Sequence, residues 1–418
     1  MKDFDIAVIG AGAAGMMAAW GAAGALAGGK TVALLEGGQR MGRKLLATGN
    51  GRCNYSHTGV SAAAYNRPDL VGKVFRQCPP EETAALFSEA GLVSREEEGR
   101  LYPASGAAGS VLDVLRLALE DKQVQVFTGA MVKDLQKKGS RFWLTLPEGG
   151  LGAGRVILAS GGKAGGPLNC PGGGYRLAEA LGHGITSLTP GLTGLCCPEE
   201  EVKELGLKAL NGLRVNARAS WYQNEKFMAA ENGEILFRDY GLSGIAIFQL
   251  SRYPGPGRLS LDLLPEKSPG ELQDFFRQRR SRLAARRAED FFTGLFQKIV
   301  GQTLLKGAGV KVRERTCGQL TEEELCRLAR RVKDWSFPVT QARGWDQAQI
   351  TLGGLEISCF NPDTLESLIC PGFYCAGEVL DVDGPCGGFN LQWAWSSGLL
   401  AGRQAAKAIR ERHHKGGK

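Results

Sequence analysis

No two cysteines in this sequence stand at a C-x-x-C spacing, and only four histidines occur, two of them adjacent in a basic tail, His413 and His414. A tetrahedral structural zinc site is therefore not expected, and no metal ligand set is assigned. The eleven cysteines are odd in number and sit inside apolar segments such as FYCAGEV, which points to reduced thiols and a cytoplasmic chain and away from a disulfide framework. Unbroken apolar runs are missing as well. The one superficially membrane-like stretch, IAVIGAGAAGMMAAWGAAGALAGG, is interrupted by glycines and preceded by Asp3 and Asp5, so neither export nor membrane insertion is expected. Polar low complexity is absent too, which excludes long disorder.

What is present is glycine, 60 of 418 residues with no fixed period, in a chain that is 43% hydrophobic and 22% charged. That composition belongs to a globular protein with many tight turns, and the length to about two or three domains.

FDIAVIG reads as a buried parallel strand, and Gly10, Gly12 and Gly15 follow it as G-x-G-x-x-G. An alanine-rich helix, AAGMMAAWGAAGALA, starts at Ala13 and Ala14; TVALLE then gives a second strand ending in Glu36, ahead of Gly37. In this pattern Gly10 permits the turn, Gly12 lets the backbone approach a pyrophosphate, and Gly15 lets helix pack on strand. The helix start offers amide donors to phosphate, while Glu36 can accept from ribose hydroxyls and disfavours a 2′-phosphate.

In an NAD dehydrogenase another strand–helix–strand unit would come next. Instead the chain reads GGQRMGRKLLATGNGRCN, a basic loop punctuated by glycines. Arg43 and Lys44 are placed to meet phosphate, and Gly49, Asn50 and Gly51, followed by Arg52, Cys53 and Asn54, suit a wall against a flat ring system. Together with LASGGKAG, GYRLAEALGH, DYGLSG and GEVLDVDGPCGGFNLQWAWSSG, these strings resemble the YhiN/BaiN-like bacterial flavoproteins, NAD(P)/FAD-dependent oxidoreductases of the two-dinucleotide-binding-domain type. The resemblance covers nearly the whole chain. It implies FAD as cofactor, with NAD(P)H docking transiently as electron donor, because VILASGG is not followed by a second G-x-G-x-x-G and acid. It further implies that Val132, Ser160, Gly161, Gly162, Gly377, Glu378 and Asp381 border the cofactor. The segment CGGFNLQWAWSSGLLAGRQAAKAIR reads as a long helix, with Asn390 as its N-cap behind Gly387, Gly388 and Phe389, so that its amides face the flavin pyrimidine edge. Trp393 and Trp395 fit helix packing better than substrate stacking.

The expected fold class is α/β: a Rossmann-like FAD-binding domain (1–188 and 356–418) interrupted by a β-rich, barrel-like domain (189–267 and 336–355), itself interrupted by a helical domain (268–335). The middle segments alternate apolar and polar residues around glycine, asparagine and proline turns, and the text becomes helical after Ser268. Arg277, Arg279, Arg280, Arg282, Arg286 and Arg287 crowd one helical stretch, and Arg327, Arg330, Arg331 and Lys333 another, in a chain of net charge +8. Such runs suit either a solvated face or a polyanion, with ribosomal RNA as a candidate partner beside a small-molecule substrate.

Reducing a polarised C=C bond needs hydride at one carbon and a proton at its neighbour. Cys53 and Cys386, in the two glycine-rich strings, are candidate proton donors, with packing as the alternative for both. Arg52 and Asn54 suit holding flavin or polarising a carbonyl. The resemblance implies three substrate classes: uridine in ribosomal RNA, enones such as bile-acid intermediates, and small amines of the aminoacetone type. A buried thiol acid suits reduction of an activated double bond better than amine oxidation. A flavin-carrying binding protein without catalysis is the reading from another class.

Overall fold

The computed structural model describes residues 2–26, 31–166, 172–204 and 206–416, with side chains only as far as 411. The expected end of the first helix at Ala27 and the side chains of His413 and His414 lie outside the described residues. The chain divides into two compact units, Met1–Pro190 with Gln349–Lys418, and Gly191–Ala348.

In the first unit, strand β1 (Lys2–Ile9) runs into helix α1 (Ala13–Ala25) and back through β2 (Val32–Leu35). Further along come β3 (Gln125–Phe127), β4 (Asp134–Lys138), β5 (Arg141–Thr145), β6 (Gly150–Leu158) and β7 (Phe373–Cys375). They form one seven-stranded sheet in the order β3-β2-β1-β6-β5-β4, with β7 also on β6. The pairs among β3, β2, β1, β6 and β7 are parallel, whereas β4, β5 and β6 pair antiparallel. Both faces of the parallel part are covered, so its strands are continuously apolar: Ile6, Ala7 and Val8 are fully buried, as are Val156, Ile157 and Leu158.

The last helix, α2 (Phe389–Gly416), packs along α1. Small residues make this contact possible. A side chain on Gly398 or Gly402 would run into the backbone carbonyls of Ala14 or Ala18. The two ends of the polypeptide thus share one hydrophobic core.

The second unit is built on a seven-stranded antiparallel sheet, whose order is Trp335–Val339, Gly257–Asp262, Arg214–Gln223, Lys226–Arg238, Gly241–Ser243, Leu195–Cys196 and Gln341–Ala342. Only Thr340 separates the strands at the two ends of this order, so the sheet must curl round until its edges meet. Helices Pro269–Arg282, Lys298–Gly307 and Glu322–Lys333 belong to the same unit and share its core with the sheet, through Phe276, Leu304, Leu328 and Trp335. Ser268 and Thr321 start two of these helices with reciprocal capping boxes to Glu271 and Glu324.

Candidate functional site

The glycine fingerprint adopts the geometry its spacing requires. Gly10 has φ +102°, and a Cβ there would stand 2.5 Å from the carbonyl oxygen of Ala159. A Cβ on Gly15 would collide with Gly10 O, whereas one on Gly12 would meet nothing within 4 Å. The middle glycine is therefore the open one, and it is also the residue preceding α1, whose N-terminus carries no side-chain cap. Uncapped amides under an open backbone surface are what a pyrophosphate needs. At the end of β2, Glu36 is held by two main-chain donors, Ala11 N–H to Oε2 at 3.1 Å and Gly38 N–H to Oε1 at 2.7 Å. These fix the carboxylate and leave each oxygen a lone pair for a ribose hydroxyl. Gly37 has Met131 packed over it, a Cβ there falling 2.6 Å from Met131 Cε, and buried Val132 follows. The residues fit the adenosine half of FAD.

The basic loop contains a short helix, Arg43–Ala47. Arg43 lies against Gly38, while Lys44 Nζ donates to Glu378 Oε2 at 2.7 Å. Glu378 Oε1 accepts from Thr351 N–H at 2.7 Å, and the Thr351 hydroxyl accepts from Lys163 N–H and Ala164 N–H at 2.7 and 3.1 Å. This chain of contacts gathers the basic loop, the loop after β6 and the segment after β7. Gly161 and Gly162 lie inside it: a side chain on Gly162 would occupy the place of Thr351, and Gly161 takes φ +70°. Ser160 packs as tightly against Gly174, and Gly377, at φ +76°, lets Ala14 approach. Thr351 was not picked out from the sequence, because a threonine in ITLGG carries no motif.

TGNGRCN folds as a run of left-handed residues, with Gly49, Asn50, Gly51 and Cys53 all at positive φ. For Asn50 and Cys53 this costs on the order of 1–3 kcal/mol each. Arg52 Nη2 donates to both oxygens of Glu97 at 2.7 Å, and its guanidinium lies 4.2 Å from the centre of the Tyr102 ring. Cys53 is fully buried in the core, and burial pushes its thiol up to about 11, partly offset by the Thr48 hydroxyl. That is the geometry of the packing alternative for Cys53. Asn54 is buried, and its Oδ1 has no hydrogen-bond partner among the described residues.

That orphaned oxygen faces the other distinctive string. Gly387 and Gly388 have φ +114° and +98°, and a Cβ on Gly388 would stand 2.9 Å from Asn54 Oδ1. A Cβ on Gly387 would lie 3.7 Å from Arg100 Nε. Cys386, half-buried, has Sγ 3.9 Å from Gln349 Oε1; burial pushes its thiol up and the nearby Arg100 guanidinium pulls it down. An unmet buried acceptor beside two glycines is a cradle for a planar, hydrogen-bonding ring, and so the residues also fit the flavin half of FAD.

Two expectations need correcting. Asn390 does not cap the last helix: α2 begins at Phe389, and Asn390 lies in its first turn. Its carboxamide instead folds back to accept from Gly384 N–H at 2.9 Å and to donate to Gly384 O and Pro385 O at 2.8 and 3.1 Å, locking the loop before the helix. Asp381 is not open: its carboxylate is bound by Arg67 and, at 3.2 Å, by Asn66 Nδ2. Phe389 packs against His57 with ring centroids 5.2 Å apart and the planes tilted by 33°. Trp393 and Trp395 are buried and donate to Gly377 O and Tyr55 O, as packing residues do.

The described residues contain no helix long and apolar enough to cross a membrane. A family model described as HI0933-like protein Rossmann domain matches residues 4–404. The chain is 34% identical over 411 residues to a 3-dehydro-bile acid delta(4,6)-reductase of Clostridium scindens, covering 96% of this chain and 99% of that one. It is 29% identical over 408 residues to a ribosomal RNA dihydrouridine synthase of Escherichia coli, covering 95% and 96%. Among solved structures, the 3-ketosteroid delta1-dehydrogenase of Sterolibacterium denitrificans is alike in fold, with a TM-score of 0.53 at 14% identity over 98% of this chain and 100% of that one. Fingerprint, cradle and matched length agree, and the chain belongs to the HI0933-like Rossmann family of FAD-dependent oxidoreductases.

Proposed function

We propose that this protein reduces an activated C=C bond in a small conjugated ketone, with NAD(P)H as the transient electron donor. Bound FAD would supply hydride to one carbon of the double bond. The rest is the work of this chain. The start of α1 and Glu36 anchor the dinucleotide, and Asn54 with the amides at the start of α2 would hold the ring's polar edge. The neighbouring carbon needs a proton, and Cys386 is the better donor of the two candidate thiols. It is only half-buried, its raised pKa keeps it protonated at neutral pH, and Arg100 is positioned to stabilise the thiolate left behind.

The observation that carries this reading is the meeting of Asn54 with Gly387 and Gly388, which brings Cys386 and Arg100 to one lip of the cradle. The choice of a small ketone over RNA rests on two supports. The relative at 34% identity is named as a bile-acid reductase. In addition, six of the ten clustered basic residues are already engaged within the second unit: Arg277 and Arg280 with Glu322, Arg287 with Glu289, Lys333 with Asp262, and Arg279 and Arg327 with main-chain carbonyls. Cations so engaged release few counterions and contribute little to RNA affinity. We read the second unit as a barrel-like insertion between the two FAD-binding segments, with the helices of 268–335 set into it.

The test is anaerobic. NADPH or NADH should bleach the FAD-loaded protein, and a 4-en-3-one or 4,6-dien-3-one steroid should restore the yellow colour. Restoration by a uridine-containing ribosomal RNA fragment and by no enone would favour the reading suggested by the dihydrouridine synthase relatives. Restoration by aminoacetone-type amines is not expected, since these donate electrons. Failure of every donor and acceptor would leave a flavin-carrying binding protein.

A further inference from the structure

The second unit has a cavity that the flavin chemistry does not use. It measures about 530 Å³ and is bordered by the ends of two helices, Lys298–Gly307 and Glu322–Lys333, and by the start of a third, Pro269–Arg282. Arg327, Arg330, Arg331 and Lys333 line it, with Asp334 as the one acid.

Basic residues in a last helical turn have an ordinary explanation, since they offset the negative end of the helix dipole. Arg327, in the middle of its helix, is engaged otherwise: its Nε donates to Ala308 O at 2.9 Å, just past the end of the neighbouring helix. Lys333 is in the last turn and also engages other groups, pairing with Asp262 at 2.6 Å and donating to Leu264 O and Lys267 O. The dipole also accounts for the placement of Arg330 and Arg331 in the last turn, but it gives Arg331 Nε no acceptor. Arg331 Nε is buried with no hydrogen-bond partner among the described residues. The guanidinium lies 5.8 Å from the centre of the Trp335 ring and crosses the end of the neighbouring helix, where a Cβ on Gly307 would stand 3.1 Å from its Nε and Nη2. Burial lowers its affinity for its own proton, with only Asp334 acting the other way. Arg330 is exposed and has no side-chain partner among the described residues. A partly buried guanidinium with an unpartnered Nε, beside an exposed one at the same cavity, is suited to an anion that completes its bonding.

We propose that this cavity binds a phosphate ester of about mononucleotide size, with Arg331 and Arg330 as its phosphate ligands. Guanidinium geometry matches two phosphate oxygens at once, and the volume falls in the range of small-ligand pockets. Gln273, on the third helix, offers an amide to a sugar hydroxyl or base edge. The phosphate comes either from a free nucleotide or from an RNA strand, which share this chemistry. The site stands apart from the redox reading and does not depend on it.

The experiment uses the full-length, FAD-loaded protein. AMP is titrated by calorimetry at low and moderate salt, and a short RNA is titrated separately with and without AMP. Saturable AMP binding, weakened about tenfold or more by Arg331→Met and measurably by Arg330→Ala, with FAD content unchanged, is the expected result. RNA binding that AMP displaces and salt suppresses steeply would identify the strand as the source, and AMP binding without RNA binding would identify the free nucleotide. Should Arg331→Met fail to fold, the exposed Arg330→Ala carries the test. No saturable AMP binding, AMP binding indifferent to Arg330→Ala, or RNA binding that AMP cannot displace, would overturn the assignment.

Discussion

The carbonyl oxygen of Ser56 lies 2.5 Å from the place a Cβ on Gly388 would occupy, so the segment that continues TGNGRCN meets the start of the last helix backbone against backbone. Closeness of this kind tolerates only hydrogen. Gly388→Ala combines that clash with a φ of +98°, and should cost about 2 kcal/mol or more. Thermal unfolding with a measurement of bound flavin checks this; an alanine variant as stable and as yellow as the parent would show that the two segments do not meet at Gly388.

Asn54 separates a structural role from a functional one. Its Oδ1 has no partner among the described residues, so Asn54→Ala should alter the stability of the flavin-free chain by less than about 1 kcal/mol. Affinity for FAD should nevertheless fall about tenfold, as expected when a hydrogen bond to the ring edge is lost. Unchanged flavin titration by fluorescence quenching would show that the carboxamide faces something else.

The Lys44–Glu378 pair joins the basic loop to the segment after β7 at 2.7 Å, with both side chains partly exposed. A double-mutant cycle of Lys44→Met and Glu378→Gln should return a coupling of about 1 kcal/mol or less in the flavin-free chain, as solvent-screened pairs do. Each single variant should lose FAD more readily than its loss of stability explains, because the network through Thr351 also shapes the loop of Gly161 and Gly162.

Burial raises the Cys53 thiol from 9.0 to about 11, so the folded chain keeps a proton that the unfolded chain releases as pH passes 9.0. The stability contributed is whole below about pH 9 and is lost as pH rises towards about 11, at no more than ~1.4 kcal/mol per pH unit for one group. Cys78, also raised to about 11 by burial, adds to the same window. Urea midpoints should therefore fall across this alkaline range, and the slope should be shallower in Cys53→Ala whatever that variant's absolute stability. Parallel slopes would mean that Cys53 is not the titrating group.

The N-terminal fingerprint was legible because each glycine answers a separate steric demand within a few residues, and so was the partnership between the two glycine-rich strings. Asn390 was misread for a definite reason: an asparagine behind two glycines looks like a cap, but those glycines set the chain direction by themselves and free the carboxamide to lock the loop behind it. Thr351 and Arg100 could not be found, since a lone side chain acquires its role only from segments far away in sequence. The arginine runs are ambiguous for another reason. Charge counts show where guanidinium groups are, not that Arg279 is spent on Phe291 O or that Arg280 leans on Glu322.

The packing of α1 against α2 has a consequence for timing. Gly398 and Gly402 close over Ala14 and Ala18, and Gly377 admits Ala14, so this face of the first helix stays uncovered until the last helix has been made. A nascent chain halted before the last helix should emerge colourless, because prosthetic-group capture waits for the segment that closes the cradle.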